Sequence, residues 1–313
     1  MRRQYKQAKD GGEVEMLEKT YLYVEDCSGS ENTLQISKYA SSAPTVTFEY
    51  SYDNINWNGG YSSSTTPTSI TIPANGKIYL RGKNNAWANS SSFNTIKAIS
   101  EHNIGGNIMS ILYGSEFVDK TLFPNTNSYI LCGVFRNNDT LINADKLQLP
   151  AIKLNNNAYQ GLFRECVNLV APPARYPALI ATYGCYSAMY YNCVKLTKTS
   201  EFAATILETK CYQHAYYNCK NITEVALPAT NIVGISQCYA NMFEKCALLI
   251  RISADFVQYN QNALSNWVSN VHPIGEFIMN MDATWDPESY RGVSGVPEGW
   301  EIKRKDPNTG NIV

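Results

Sequence analysis

Seven of the nine cysteines (Cys166, Cys185, Cys193, Cys211, Cys219, Cys238 and Cys246) fall at regular intervals. Thiols so spaced could form disulfides, ligate zinc or act in redox chemistry. Cys185–Cys193, Cys211–Cys219 and Cys238–Cys246 are each eight residues apart. In a helix that separation is a rise of ~12 Å, beyond the ~4.4–6.8 Å between Cα atoms that a disulfide needs. Equivalent cysteines on stacked helices would lie ~8–10 Å apart, although offset pairs between neighbouring units stay open. The chain has no C-x-x-C and no Cys/His zinc spacing. The expectation is a ladder of small, buried, unpaired thiols.

Other routes to catalysis are as thin. The three histidines, His102, His214 and His272, are far apart in sequence, and Asp282 and Asp286 stand alone as a carboxylate pair. Phosphate-binding, dinucleotide, zinc-protease and nucleophile-elbow motifs are absent. Asn89, Asn138 and Asn221 open N-x-[ST] triplets that an Asn- and Thr-rich chain produces by chance. The sequence therefore points to no enzyme, no cofactor and no metal.

What positions the cysteines is a repeat. Cys185–Cys193, Cys211–Cys219 and Cys238–Cys246 each enclose a nine-residue unit, with an earlier copy over Ala158–Cys166 and a degenerate one around Val134 and Phe135. The sixth-position aromatics Phe135, Phe163, Tyr190, Tyr216 and Phe243 are spaced by 28, 27, 26 and 27 residues. An aliphatic residue follows three positions after each unit (Leu141, Leu169, Leu196, Ile222, Leu249), and Leu149-Pro150-Ala151, Tyr176-Pro177-Ala178, Phe202-Ala203-Ala204 and Leu227-Pro228-Ala229 form a second landmark. Positions 2, 5, 6 and 9 are i, i+3, i+4 and i+7, which predicts a short amphipathic helix with position 8 on its wet side. A short extended rung follows it. Such a unit cannot bury its own stripe, so the units must stack into a solenoid of the leucine-rich class.

Position 7 lies just outside the predicted stripe and carries Arg136, Arg164, Tyr191, Tyr217 and Glu244. Tyr191 and Tyr217 should be neighbours on adjacent rungs beside two arginines, and Tyr and Arg are enriched at interface hot spots. Either these rings contact a partner, protein or sugar, or they pack on the adjoining helix and extend the core.

Around the repeat, residues 21–105 carry alternating runs at 20–24, 45–50, 69–72 and 77–81 between turn residues, as in a small antiparallel sandwich-like β-domain. The solenoid is expected over 106–262, its first cap around Gly105–Gly114. A C-terminal β cap and tail over 263–313 hold Trp267, Phe277, Trp285 and Trp300. The fold class is thus α+β. Net charge is −1 and charged residues make up 17%, which offers no electrostatic case for nucleic acid. No apolar run is long enough to cross a membrane, and no secretory leader is recognisable at the start. Residues 1–20, with Arg2, Arg3 and Lys6 before a run of glutamates, read as an arm that docks ionically on a larger assembly.

The Cys-Tyr-x-x-Met-Phe-x-x-Cys-x-x-Leu unit at Cys238–Leu249, with the step Leu227-Pro228-Ala229-Thr230, resembles the BspA-like leucine-rich repeat family. That family occurs in surface proteins of gut Bacteroidales and in their bacteriophages, including crAss-like phages. Ile78–Gly82, Gly106–Ser110, Ser265–Val268 and Gly295–Trp300 resemble its flanking segments, so the likeness spans about residues 40–302. It implies a binding protein without catalytic residues. In a phage setting it implies a head fibre or capsid decoration protein on the virion surface, assembled in the host cytoplasm as a homo-oligomer. Its partners would be capsid or other virion proteins and a host surface glycan or protein. The alternatives are a tail-associated adhesin or a bacterial cell-surface adhesin.

Overall fold

A computed structural model of the chain describes residues 6–7, 13–14 and 19–312. β1 (Lys6–Gln7) and β2 (Glu13–Val14) form an isolated antiparallel pair. The next strands are β3 (Leu22–Asp26), β4 (Asn32–Lys38), β5 (Thr47–Ser51), β6 (Asn58–Ser62), β7 (Thr68–Ile72), β8 (Lys77–Arg81), β9 (Asn94–Ala98), β10 (His102–Asn107) and β11 (Leu141–Gln148). They make a six-stranded sheet, β11-β10-β3-β8-β5-β6, and a three-stranded sheet, β7-β4-β9. Alternation decides what faces inward: Leu34 and Ile36 of β4, Ile78 and Leu80 of β8, and Ile96 and Ala98 of β9 are buried, while their neighbours are partly exposed. The four alternating runs read from the sequence correspond to β3, β5, β7 and β8.

The sandwich runs into the solenoid without a break. β10 pairs antiparallel with β3 on one side and parallel with β11 on the other, so β11 is at once a sheet edge and the first rung. Beyond it come the parallel pairs β12 (Arg175–Tyr176) with β14 (Glu201–Phe202), and β13 (Ile180–Ala181) with β15 (Ile206–Leu207). A parallel sheet of β16 (Glu224–Leu227), β17 (Arg251–Ala254), β18 (Glu276–Asn280) and β19 (Glu301–Lys305) ends the series. Buried side chains from the sandwich to Trp300 form one hydrophobic cluster.

The repeat itself corrects the expected fold class. The protein is mostly β, with a solenoid of about five turns, and the α-helix among the described residues is the single turn Ser110–Tyr113. The nine-residue units are runs of tight turns in which every fourth residue has a left-handed backbone. Examples are Gly184, Ala188 and Asn192 in one unit, Lys210, His214 and Asn218 in the next, and Gln237, Asn241 and Lys245 after that. A helix cannot pass through such residues.

Side chains then point in and out in pairs. Cys185, Tyr186, Met189, Tyr190 and Cys193 are fully buried, while Tyr191 and Asn192 turn outward. Backbone bonding alternates as well. The N–H groups of Ser187, Met189 and Tyr191 close turns onto the carbonyls three residues back, and those of Tyr186, Ala188 and Tyr190 donate to Cys211, Gln213 and Ala215 on the next rung. The ribbon thus pairs these buried amides alternately within the rung and across to the next, as an interior backbone must.

This geometry has a testable sign. Ala188 sits at φ 52°, where an L-residue with a Cβ is disfavoured by ~1–2 kcal/mol. Ala188→Gly is therefore expected to stabilise the protein by about 1 kcal/mol in chemical denaturation. In a helix the same change would cost about 1 kcal/mol, so the direction of the shift separates the two backbones.

Both ends of the ribbon are closed. At the first rung the sandwich supplies donors, Trp87 N–H to the Ile130 carbonyl (2.7 Å) and Ile96 N–H to that of Val134 (2.8 Å). At the last, over 261–270, the Asn266 N–H donates to the Ser294 hydroxyl and that of Val268 to the Val293 carbonyl. The tryptophans expected to close this end, Trp267, Trp285 and Trp300, are all buried there.

Candidate functional site

Three aromatic columns run along the solenoid, one per inward or outward position. The position-6 rings Phe135, Phe163, Tyr190, Tyr216 and Phe243 stack at 5.5, 5.4, 5.2 and 6.0 Å. The position-2 rings Tyr159, Tyr186, Tyr212 and Tyr239 stack at 6.1, 5.2 and 5.7 Å. Both columns are buried.

The cysteines line the same interior. All nine are free. The position-9 thiols of Cys166, Cys193, Cys219 and Cys246 donate to the carbonyls of Phe135, Phe163, Tyr190 and Tyr216 on the preceding rung, at 3.0–3.1 Å. Burial pushes the Cys166 and Cys238 thiols up to about 12, so they stay protonated and poorly nucleophilic. Cysteine suits position 9 because it is small, apolar and still a weak donor.

The third column faces outward at position 7. Tyr191 and Tyr217 lie parallel with centroids 4.5 Å apart. The Arg164 guanidinium covers the free face of Tyr191 at 4.4 Å, and the Lys245 ammonium sits at the hydroxyl end of Tyr217, 4.9 Å from its centroid, donating to the hydroxyl (2.5 Å). His214 meets both rings edge-on. Tyr191 and Tyr217 are half-buried: they lengthen a column, but on the outside of the molecule. The pair is thus a stack with Arg164 over one end and Lys245 at the hydroxyl of the other.

Arg136 continues the column toward the sandwich, 5.2 Å over Phe93, which in turn stacks on the exposed Tyr39 at 4.6 Å. Beside it runs a ladder at position 8, where the Asn192 amide donates to Glu165 (2.6 Å) and that of Asn218 to Asn192 (2.5 Å). Tyr191, Tyr217, Arg136 and Arg164 are thus brought onto one face. Of the arm residues, Arg2 and Arg3 lie outside the described residues, and Lys6 is placed only by its backbone in β1.

The remaining candidates take structural positions. His102 is buried, with Nδ1 at 3.0 Å from the Ser100 carbonyl and Nε2 at 3.1 Å from the Asn138 amide. Asn138, one of the N-x-[ST] asparagines, is likewise buried. Asp286 is held by the Ser289 hydroxyl and the Glu288 N–H. Among the described residues no group of three or more His, Cys, Asp and Glu side chains could hold a metal ion. A cleft of about 380 Å³ in the sandwich is lined by Glu49, Arg81 and Lys83, but Arg81 is paired with Glu49 and Lys83 with Glu116. Among the described residues no helix is long and apolar enough to cross a membrane.

Comparison of the chain with family models, curated proteins and solved structures finds no match.

Proposed function

We propose that the protein is a non-enzymatic contact protein whose solenoid presents the position-7 column to a partner. The observation that carries this reading is the ordered Arg164–Tyr191–Tyr217–Lys245 array on the outer face of a scaffold whose rungs are joined by backbone hydrogen bonds. Stiff, pre-ordered Tyr and Arg side chains lose little entropy on binding. The resemblance of the 27-residue units to BspA-like leucine-rich repeats supports a setting on a phage virion. There the protein would be a head fibre or decoration protein, attached through its N-terminal part and contacting the host surface through the repeats.

Tyr191→Ala with Tyr217→Ala is expected to reduce binding to host cells about tenfold or more. The stability cost should be only about 1 kcal/mol, the worth of one stacked pair, and a thermal melt of the variant checks it. A large loss of stability with host binding unchanged would reassign the column to the core. Co-sedimentation of the chain with intact particles at fixed stoichiometry tests the virion setting. Recovery only in envelope fractions would place it on a cell surface instead.

A further inference from the structure

Along the strand side of the solenoid, charge alternates from rung to rung. Arg175 faces Glu201, Arg251 bridges Glu224 and Glu276, and Lys303 pairs with Glu276. That alternation is what cross-strand neighbours favour. The position-7 column breaks the rule, since Arg136 and Arg164 occupy equivalent positions on adjacent rungs, whose backbones are joined by the Asn137 N–H and the Arg164 carbonyl (2.8 Å).

Neither guanidinium makes a hydrogen bond among the described residues, and the Nε of each is buried without a partner. Nearby carboxylates are engaged elsewhere: Asp139 with Lys97 (2.6 Å), and Glu244 with the Asn241 amide (2.8 Å). Glu165 accepts from Asn192 and comes no closer to Arg164 than 3.9 Å. Desolvation, the largest influence, and the neighbouring Arg164 charge lower the Arg136 pKa while Glu165 opposes them, so the two guanidiniums share one loosely placed carboxylate and keep a net positive charge. Aromatic rings back the two cations, Phe93 behind Arg136 and Tyr191 behind Arg164. Gly133 and Gly161 keep the ribbon flat beside them, and a Cβ at Gly161 would meet only the Arg164 side chain.

We infer that Arg136 and Arg164 form an anion seat for the carboxylate of an acidic saccharide, an inference that rests on the contact-surface reading above. Two guanidinium forks match a carboxylate's two oxygens. Neighbouring outward positions of the ribbon carry polar side chains, Asn137 and Gln160 on the two arginine rungs and Asn192 on the next. Such a lining suits sugar hydroxyls, which both donate and accept hydrogen bonds.

The test is calorimetry on the full chain at low salt with trigalacturonate, neutral galactotriose and hexaglutamate. Trigalacturonate is expected to bind at least about tenfold more tightly than galactotriose. Arg136→Gln and Arg164→Gln should each remove most of that preference, and Arg164→Lys, which keeps the charge but not the fork, should remove part of it. Equal binding of charged and neutral sugars, no binding of trigalacturonate, or equal binding of hexaglutamate would each overturn the inference. The host-cell assay separates the two claims. If Tyr191→Ala with Tyr217→Ala weakens adhesion while the arginine variants do not, the anion seat fails and the contact face stands. If neither set changes adhesion, the contact face itself fails.

Discussion

Trp267→Ala is expected to destabilise the protein by about 4 kcal/mol, within the ~3–5 kcal/mol range for emptying a buried aromatic site. Trp267 is fully buried in the last run of turns and terminates both interior columns, 6.4 Å from Tyr239 and 6.0 Å from Phe243. It also packs on Phe256 and Phe277, and its Nε1–H donates to the Gly295 carbonyl (2.8 Å). Truncation leaves a cavity, an unpaired carbonyl and a loosened closing segment. Because rungs interact mainly with neighbours, hydrogen exchange should show protection lost first around Tyr239–Cys246 and last at Phe135. Uniform loss along the chain would mean that the solenoid melts as one unit.

Acidification should weaken the other end. Burial, the largest influence, lowers the His102 pKa from 6.5 to about 4, and the nearby Lys97 charge acts in the same direction. The Ser100 carbonyl and the charges of Asp26 and Asp139 oppose this. With its folded value depressed, His102 is neutral in the native state, and the unfolded chain takes up the proton first. Stability is therefore complete above pH ~6.5, falls as pH drops from 6.5 to 4, and is lower by about 3 kcal/mol below that window. Urea denaturation at pH 7 and pH 5 samples the upper part of the fall before most carboxylates titrate. His102→Leu, although less stable at pH 7, should show a flatter dependence. An unchanged slope in that variant would remove His102 as its source.

The sequence carried the phase of the solenoid but not its backbone. Positions 2, 5, 6 and 9 satisfy a helical stripe and a four-residue alternation of paired inward and outward side chains equally well. Buried Cys185, Cys211 and Cys238 at position 1 do not decide between them either, because positions 1, 5 and 9 are i, i+4 and i+8 and share a helical face as well. The signal that does is the amino-acid type four residues apart. Gly161, Asn192, Asn218 and Asn241 are residues that tolerate a left-handed backbone, so the abundance of asparagine marked turns as well as a polar surface. The adjacency of Tyr191 and Tyr217 followed from the period alone. That Arg164 would cover the outer face of Tyr191 and Lys245 reach the Tyr217 hydroxyl did not, because it depends on how outward side chains lie along the axis. The fusion of sandwich and solenoid through β10 and β11 was also illegible, since it joins strands some forty residues apart by backbone bonds that leave no mark on composition.

The ribbon's bonding also bears on how such a chain can change over generations. Each rung offers the same set of donors to its successor and the same acceptors to its predecessor. An in-frame duplication or loss of one ~27-codon unit between Phe163 and Phe243 would therefore leave both closed ends as they are and create no unpaired amide. Each event would move the contact face by ~4.8 Å, the spacing between adjacent strands. Reach is thus a trait that recombination can adjust in steps, independently of the parts that anchor and seal the molecule.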